Sequence, residues 1–128
     1  MVSTVPVGTP HNAGMQVELT LDCVDLDKLA AFWQAALGAE RGGVIEGRYV
    51  HLIGPHIALT LQRVPEPKRG KNRMHLDLLV PDVDAEVARL RALGATAVTP
   101  VARQEFGQTW FVLADPEANE FCVAREPT

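Results

Sequence analysis

His75 and Asp77 stand two positions apart in the stretch Met74-His75-Leu76-Asp77-Leu78-Leu79-Val80-Pro81. Leu76, Leu78 and Val80 alternate with them, so the stretch reads as a strand with one face in a core and both polar side chains on the other. Residues two apart on a strand lie side by side. Asp77 can therefore orient the imidazole for work as a base or a metal ligand, or the two can share a hydrogen bond in a structural polar cluster. Glu18 has a similar place in the stretch from Gln16 to Cys23, where Val17, Leu19 and Leu21 alternate with Glu18, Thr20 and Asp22. A carboxylate there can be a ligand, a base or a satisfied structural acid.

Both strands lead into helices, and the helices position what the strands carry. Asp25 or Asp27 starts the first, which runs to Leu37 with Leu26, Leu29, Ala30, Trp33 and Leu37 at helical spacing and Gly38 as its stop. That spacing assigns Trp33 to the core. The second helix runs from Asp84 to Leu93 and stops at Gly94. Gly42-Gly43 reads as a turn before a short strand, Val44-Ile45, and Glu46-Gly47 as a hairpin turn. Strands follow at Tyr49 to Ile53 and Ile57 to Val64. After the second helix come a strand from Thr96 to Val101, a loop from Arg103 to Gly107, and strands from Thr109 to Leu113 and Glu120 to Ala124.

The chain repeats itself. Leu19-Thr20-Leu21 falls on Leu76-Asp77-Leu78, and Asp25-Leu26-Asp27 falls on Asp82-Val83-Asp84 at the same shift. Leu37-Gly38-Ala39 falls on Leu93-Gly94-Ala95 one position early, so the second helix is one residue shorter. The repeated unit is βαβββ, and neither copy is large enough to be comfortable alone. The expected organisation is a flexible leader over 1–14, a first module over 15–64, a polar, basic linker over 65–73 and a second module over 74–125, together one α+β domain. A helix covers one face of each sheet. The other faces should curve together into a common cleft lined by Glu18, Thr20, Thr60 and Gln62 from the first half and His75, Asp77, Glu120 and Cys122 from the second. His51 shares a face with Tyr49 and joins that list. Trp110 is the aromatic expected to line the cleft, because Phe111 aligns with apolar Val50.

Composition narrows the function classes. A net charge of −4 argues against general nucleic-acid binding. No apolar run approaches the roughly 20 residues that span a bilayer, and the leader lacks signal-peptide order, so the expected location is the cytoplasm. The two cysteines, Cys23 and Cys122, are expected as reduced, packed thiols rather than a disulfide. His11 and His56 read as bystanders, and Lys68, Arg69, Lys71 and Arg73 as a solvated linker. There is no Gly-rich phosphate loop, Ser-His-Asp arrangement or paired-cysteine zinc motif.

The doubled unit, with Leu29-Ala30-Ala31-Phe32-Trp33, Leu37-Gly38, His75-Leu76-Asp77-Leu78 and Asp115-Pro116-Glu117-Ala118-Asn119-Glu120-Phe121, resembles the vicinal oxygen chelate superfamily. That group holds glyoxalase I, extradiol dioxygenases, fosfomycin-resistance enzymes and bleomycin-resistance proteins, and the match is nearest to its short glyoxalase-like domains. The resemblance implies two βαβββ modules forming an open, cleft-forming sheet, a small-molecule ligand and a homodimer. It also implies a divalent metal (zinc, nickel, manganese or iron) held from the first and fourth strands. The matching catalytic and metal positions are Glu18 and His75, with Cys122 as a soft third donor. Cys122 stands where the family expects a glutamate, and Thr60 fills the corresponding place in the first half. Two functions follow from the resemblance: metal-assisted lyase, isomerase or oxygenase chemistry on a small metabolite, or metal-free sequestration of a small molecule. Ala118 replaces the usual glycine of the Asp-Pro-Glu-Gly-Asn turn, where a positive φ is more costly.

Overall fold

The structure, a computed structural model, describes residues 17–99, 102–105 and 107–126. The leader over 1–14, His11, Gln16 at the start of the first strand, Pro100, Val101 and Phe106 lie outside the described residues. The element order is β1 (Leu19–Cys23), α1 (Leu26–Leu37), β2 (Glu40–Ile45), β3 (Tyr49–Ile53) and β4 (Ala58–Arg63). The second half follows with β5 (Asp77–Val80), α2 (Val83–Leu93), β6 (Thr96–Ala97), β7 (Arg103–Glu105), β8 (Gln108–Ala114) and β9 (Glu120–Arg125). No described helix is long and apolar enough to cross a membrane.

Both helices begin and end as their sequences dictate. The Asp25 carboxylate accepts from the Lys28 amide and the Asp82 carboxylate from the Ala85 amide, each filling an otherwise orphaned donor of a first turn. Gly38, in the left-handed conformation at φ 60°, turns the chain out of α1.

The two sheets have four and five strands. The first sheet runs β1-β4-β3-β2 and the second β5-β9-β8-β6, with β1 parallel to β4 and β5 parallel to β9. Two local expectations are corrected. Arg103 to Glu105 is strand, pairing antiparallel with β8, rather than loop; as an edge strand with no apolar side it lacks the alternation that marks a strand in sequence. Gly42-Gly43 is a shift of register inside β2 rather than a turn before it, so β2 begins at Glu40.

One hydrophobic core serves both modules. Leu29, Trp33, Leu52 and Leu61 from the first half are buried together with Leu90, Leu113, Phe121 and Val123 from the second. Trp33 is 1% exposed. The Phe32 and Trp33 rings pack edge to face with centroids 5.1 Å apart, and Trp33 meets Phe121 at the same separation. The inner faces of both sheets and the two helices thus enclose one core, while each outer face turns away from it into solvent. In their sheets β1 and β5 are terminal strands, each hydrogen-bonded on one side.

Candidate functional site on the outer sheet faces

The strand register fixes which side chains share the outer face of the first module. Leu59 and Leu61 of β4 and Val50 and Leu52 of β3 are buried against α1, so the intervening residues point outward. Thr20 pairs with Thr60, and Thr60 with His51, giving one row across three strands. In the next row Gln62 lies between Asp22 and Tyr49. His51 Nδ1 and Thr60 Oγ1 lie 2.8 Å apart in a hydrogen bond. Glu18 lies just before β1 and is exposed.

The second outer face is built in the same way. Phe121 and Val123 of β9 point inward, so Glu120 and Cys122 point outward. Cys122 pairs with Asp77 on one side and Val112 on the other; Ala124 lies between Leu79 and Trp110, and Arg103 is opposite Trp110. Trp110 is therefore on the outer face, and Phe111, opposite buried Val123, is on the inner one. His75 precedes β5, and its Nε2 lies 3.1 Å from Asp77 Oδ1.

Three of these side chains converge. Ligand atoms of His75, Asp77 and Cys122 all lie within 4.8 Å of one another, the one such group of three or more metal-binding side chains among the described residues. Burial raises the Cys122 thiol above its ordinary value, and the Asp77 carboxylate adds to that by its charge and by accepting a hydrogen bond. Glu120, the neighbour on β9, is engaged elsewhere. Lys71 Nζ lies 2.7 Å from Glu120 Oε1 and, mainly through that hydrogen bond, holds the carboxyl below the usual range. Asn72 Nδ2 donates to the Glu120 carbonyl at 3.0 Å, so the linker is tied down beside the cluster. Cys23 and Cys122 are both free thiols.

Sequence reasoning placed His75 with Asp77 and named Glu18 and His75 as ligand positions with Cys122 as a soft third donor; the converging group holds His75, Asp77 and Cys122, and Glu18 is not in it. The signal that identifies the group is the β5–β9 register, which sets Asp77 opposite Cys122. Sequence reasoning also passed over Glu117, whose carboxylate accepts from the amides of Val24 and Asp25 at 2.8 and 2.7 Å and so fastens the β8–β9 turn to the start of α1. Two hollows of about 530 and 540 Å³ lie elsewhere. One is lined by Asp25, Arg41, Glu46 and Arg63, the other by Lys28, Phe32, Leu93 and Pro116.

A metal of the kind the resemblance implies can be tested against these donors. One imidazole, one carboxylate and one thiol fit a borderline-soft dication such as zinc; they do not fit a hard ion that wants oxygen alone.

Comparison with known proteins agrees with this architecture. A family model described as a glyoxalase-like domain matches residues 18–124. No curated protein sequence matches the chain. Among solved structures, a glyoxalase/bleomycin resistance protein/dioxygenase family enzyme from Burkholderia phytofirmans is similar at 19% identity and TM-score 0.73, covering 86% of this chain and 97% of that one. A mutant of the fosfomycin resistance protein FosX from Listeria monocytogenes, complexed with Mn(II) and 1S,2S-dihydroxypropylphosphonic acid, is similar at 17% identity and TM-score 0.75, covering 88% and 90%. A lactoylglutathione lyase from Agrobacterium tumefaciens is similar at 20% identity and TM-score 0.65, covering 87% and 92%. At these identities the likeness is one of fold.

Proposed function

This chain belongs to the glyoxalase-like domain family, and from that premise we propose that it binds a small oxygenated metabolite between two chains. The outer face of one chain's first module closes over the outer face of a second copy's second module. The observation that carries this reading is that both outer faces combine polar groups with exposed apolar ones. Ile45 and Ile53 are 54% and 52% exposed beside Tyr49 and His51, and Leu79 is 53% exposed beside Asp77 and Trp110. Apolar side chains of this size, on sheets that end in open strands, are what a second copy covers. The enclosed space would offer an imidazole, hydroxyls, an amide and an indole wall, which suits a small molecule rich in oxygen.

Two forms of this function differ in the fourth strands. In the catalytic form, Glu18 of one copy and His75 of the other hold a divalent metal for lyase, isomerase or oxygenase chemistry. A bound metal would supply a Lewis acid for a developing oxyanion, and Asp77 would steady the His75 ring that holds it. In the other form the cleft sequesters its ligand without metal. The fourth strands favour sequestration, because Thr60 and Cys122 stand there in place of carboxylates.

The test is light scattering of the full chain, followed by a thermal-shift screen with small oxygenated metabolites. The expected result is a dimer stabilised by at least one compound. Leu79→Arg should give monomers that lose the stabilisation while keeping the wild-type circular dichroism. A wild-type protein that stays monomeric across the accessible concentrations sinks the reading.

A further inference from the structure

Trp110 stands half-buried on the outer face of the second module, in one row with Leu79, Ala124 and Arg103 across β5, β9, β8 and β7. Among the described residues its ring meets no other aromatic ring and its Nε1–H meets no acceptor. Trp33, the other tryptophan, has two phenylalanine neighbours and the Asp115 carboxylate. An indole joins a broad apolar ring to a polar N–H, and it contributes most where both find partners. Exposed Leu79 and the short Ala124 continue the row, and Val112 follows Trp110 on the same face. The result is an apolar floor with an unpartnered indole at one side.

We propose that Trp110 and Arg103 are a recognition pair for a planar aromatic carboxylate. The proposal rests on the reading of this face as a ligand site, and it gives that ligand its chemical class. Arg103 is exposed on the edge strand β7, directly opposite Trp110. Cross-strand partners put their side chains on one face with Cβ atoms about 4.5–5.5 Å apart. A ring laid against the indole therefore has its rim within reach of the guanidinium. That fork of N–H donors matches the two oxygens of a carboxylate. The flat floor suits a flat ring, because stacked or edge-on aromatic pairs gain more than their buried area alone supplies.

Charge sets the direction in which the molecule lies. Asp77 is in the next row, opposite Cys122, and Glu120 is in the row beyond. These carboxylates repel an anionic headgroup from their end of the face and leave Arg103 as its place. The ring then lies over Ala124 and Val112, beside the Trp110 indole.

The test uses the indole N–H signals of the two tryptophans in proton–nitrogen NMR spectra of the full chain, with Trp110→Phe identifying the signal of Trp110. Three probes are titrated: benzoate, its uncharged analogue benzamide, and the non-planar cyclohexanecarboxylate. Benzoate is expected to move the Trp110 signal saturably by its ring current and to leave the Trp33 signal in place. Benzamide should bind about tenfold more weakly, the loss of one charged hydrogen bond. Arg103→Gln should bring benzoate down to the level of benzamide. A Trp110 signal that benzoate does not move overturns the proposal, as does benzamide binding as tightly as benzoate to the wild-type protein. Cyclohexanecarboxylate binding as tightly as benzoate overturns the planar ring. Light scattering of the same samples separates this from the pairing of copies. A monomer whose Trp110 signal still answers benzoate removes the closure between chains and upholds the recognition pair, whereas a dimer with an unmoved signal removes the pair alone.

Discussion

Trp33 Nε1 donates a hydrogen bond of 2.9 Å to Asp115 Oδ2, both side chains buried, and the bond joins helix α1 of the first module to the β8–β9 turn of the second. The same carboxylate accepts from the amides of Glu117 and Asn119 and from Asn119 Nδ2. Asp115 therefore shapes its own turn and anchors it to the other module at once. Asp115→Ala strips several charged hydrogen bonds and leaves the indole N–H without a partner, so it should cost on the order of 3 kcal/mol. Trp33→Phe keeps most of the ring packing and should cost less. Urea denaturation of the two variants checks the order, and an Asp115→Ala protein within 1 kcal/mol of wild type (below the roughly 1.5 kcal/mol of a single charged hydrogen bond) contradicts it.

Ala118 sits in that turn with φ 67°, the one described non-glycine residue at positive φ. An L-residue pays about 1–2 kcal/mol there, against which glycine loses about 0.5–1 kcal/mol through its freer unfolded chain. Ala118 is exposed, so its methyl group packs against little that would be missed. Ala118→Gly should therefore stabilise the protein by about 0.5–1 kcal/mol. Thermal unfolding of the variant reads this directly, and a lower melting temperature refutes it.

Arg89 ties the two helices together. Its guanidinium donates to the Ala35 and Ala36 carbonyls at the end of α1, at 3.2 and 2.8 Å, and Glu86 Oε2 lies 2.7 Å from its Nη2. The hydrogen bond to Arg89 is the largest cause holding the Glu86 carboxyl below its ordinary value of 4.5. A depressed folded-state value stabilises the fold above the unfolded value, and that stability is lost as pH falls through the folded one. Both groups are partly exposed, so the pair is worth about 0.5 kcal/mol. Glu86→Gln should melt slightly below wild type at pH 7 and together with it well below pH 4.5. A gap that stays constant over that range removes Glu86 ionisation as its cause.

Much of this architecture is legible in the sequence because its local devices are strong. The spacing of Leu26, Leu29 and Trp33 and the stop at Gly38 give α1, and alternation around Leu59 and Leu61 gives both faces of β4. Arg103 to Glu105 escaped because a polar edge strand has no apolar side to mark it. The direction in which the outer faces look is not a local property. It depends on α1 being packed on two sides, and Phe32 and Trp33, adjacent on the helix, are both buried. Neighbours on a helix point about 100° apart, yet both rings reach Phe121 of the second module, at centroid separations of 6.3 and 5.1 Å. The cluster of His75, Asp77 and Cys122 was half legible: each residue could be placed on a face, but only the register of β5 against β9 brings the thiol to the carboxylate.

The two thiols should differ sharply in reactivity. Cys23 is 2% exposed at the end of β1, and burial, followed by the charge of Glu117, pushes its thiol up to about 11. At pH 8 about one molecule in a thousand carries the thiolate, the form that alkylates, and the core still excludes the reagent. Cys122 also has a raised value, but it lies half-buried on an outer face, beside the space that the proposed dimer leaves for a small molecule. Iodoacetamide at pH 8 should therefore add once, at Cys122, and reach Cys23 only after denaturation. Peptide mass spectrometry on native and urea-treated protein distinguishes the sites. Equal labelling of both in the native state would mean that the inner end of β1 opens to solvent far more readily than its place in the shared core allows.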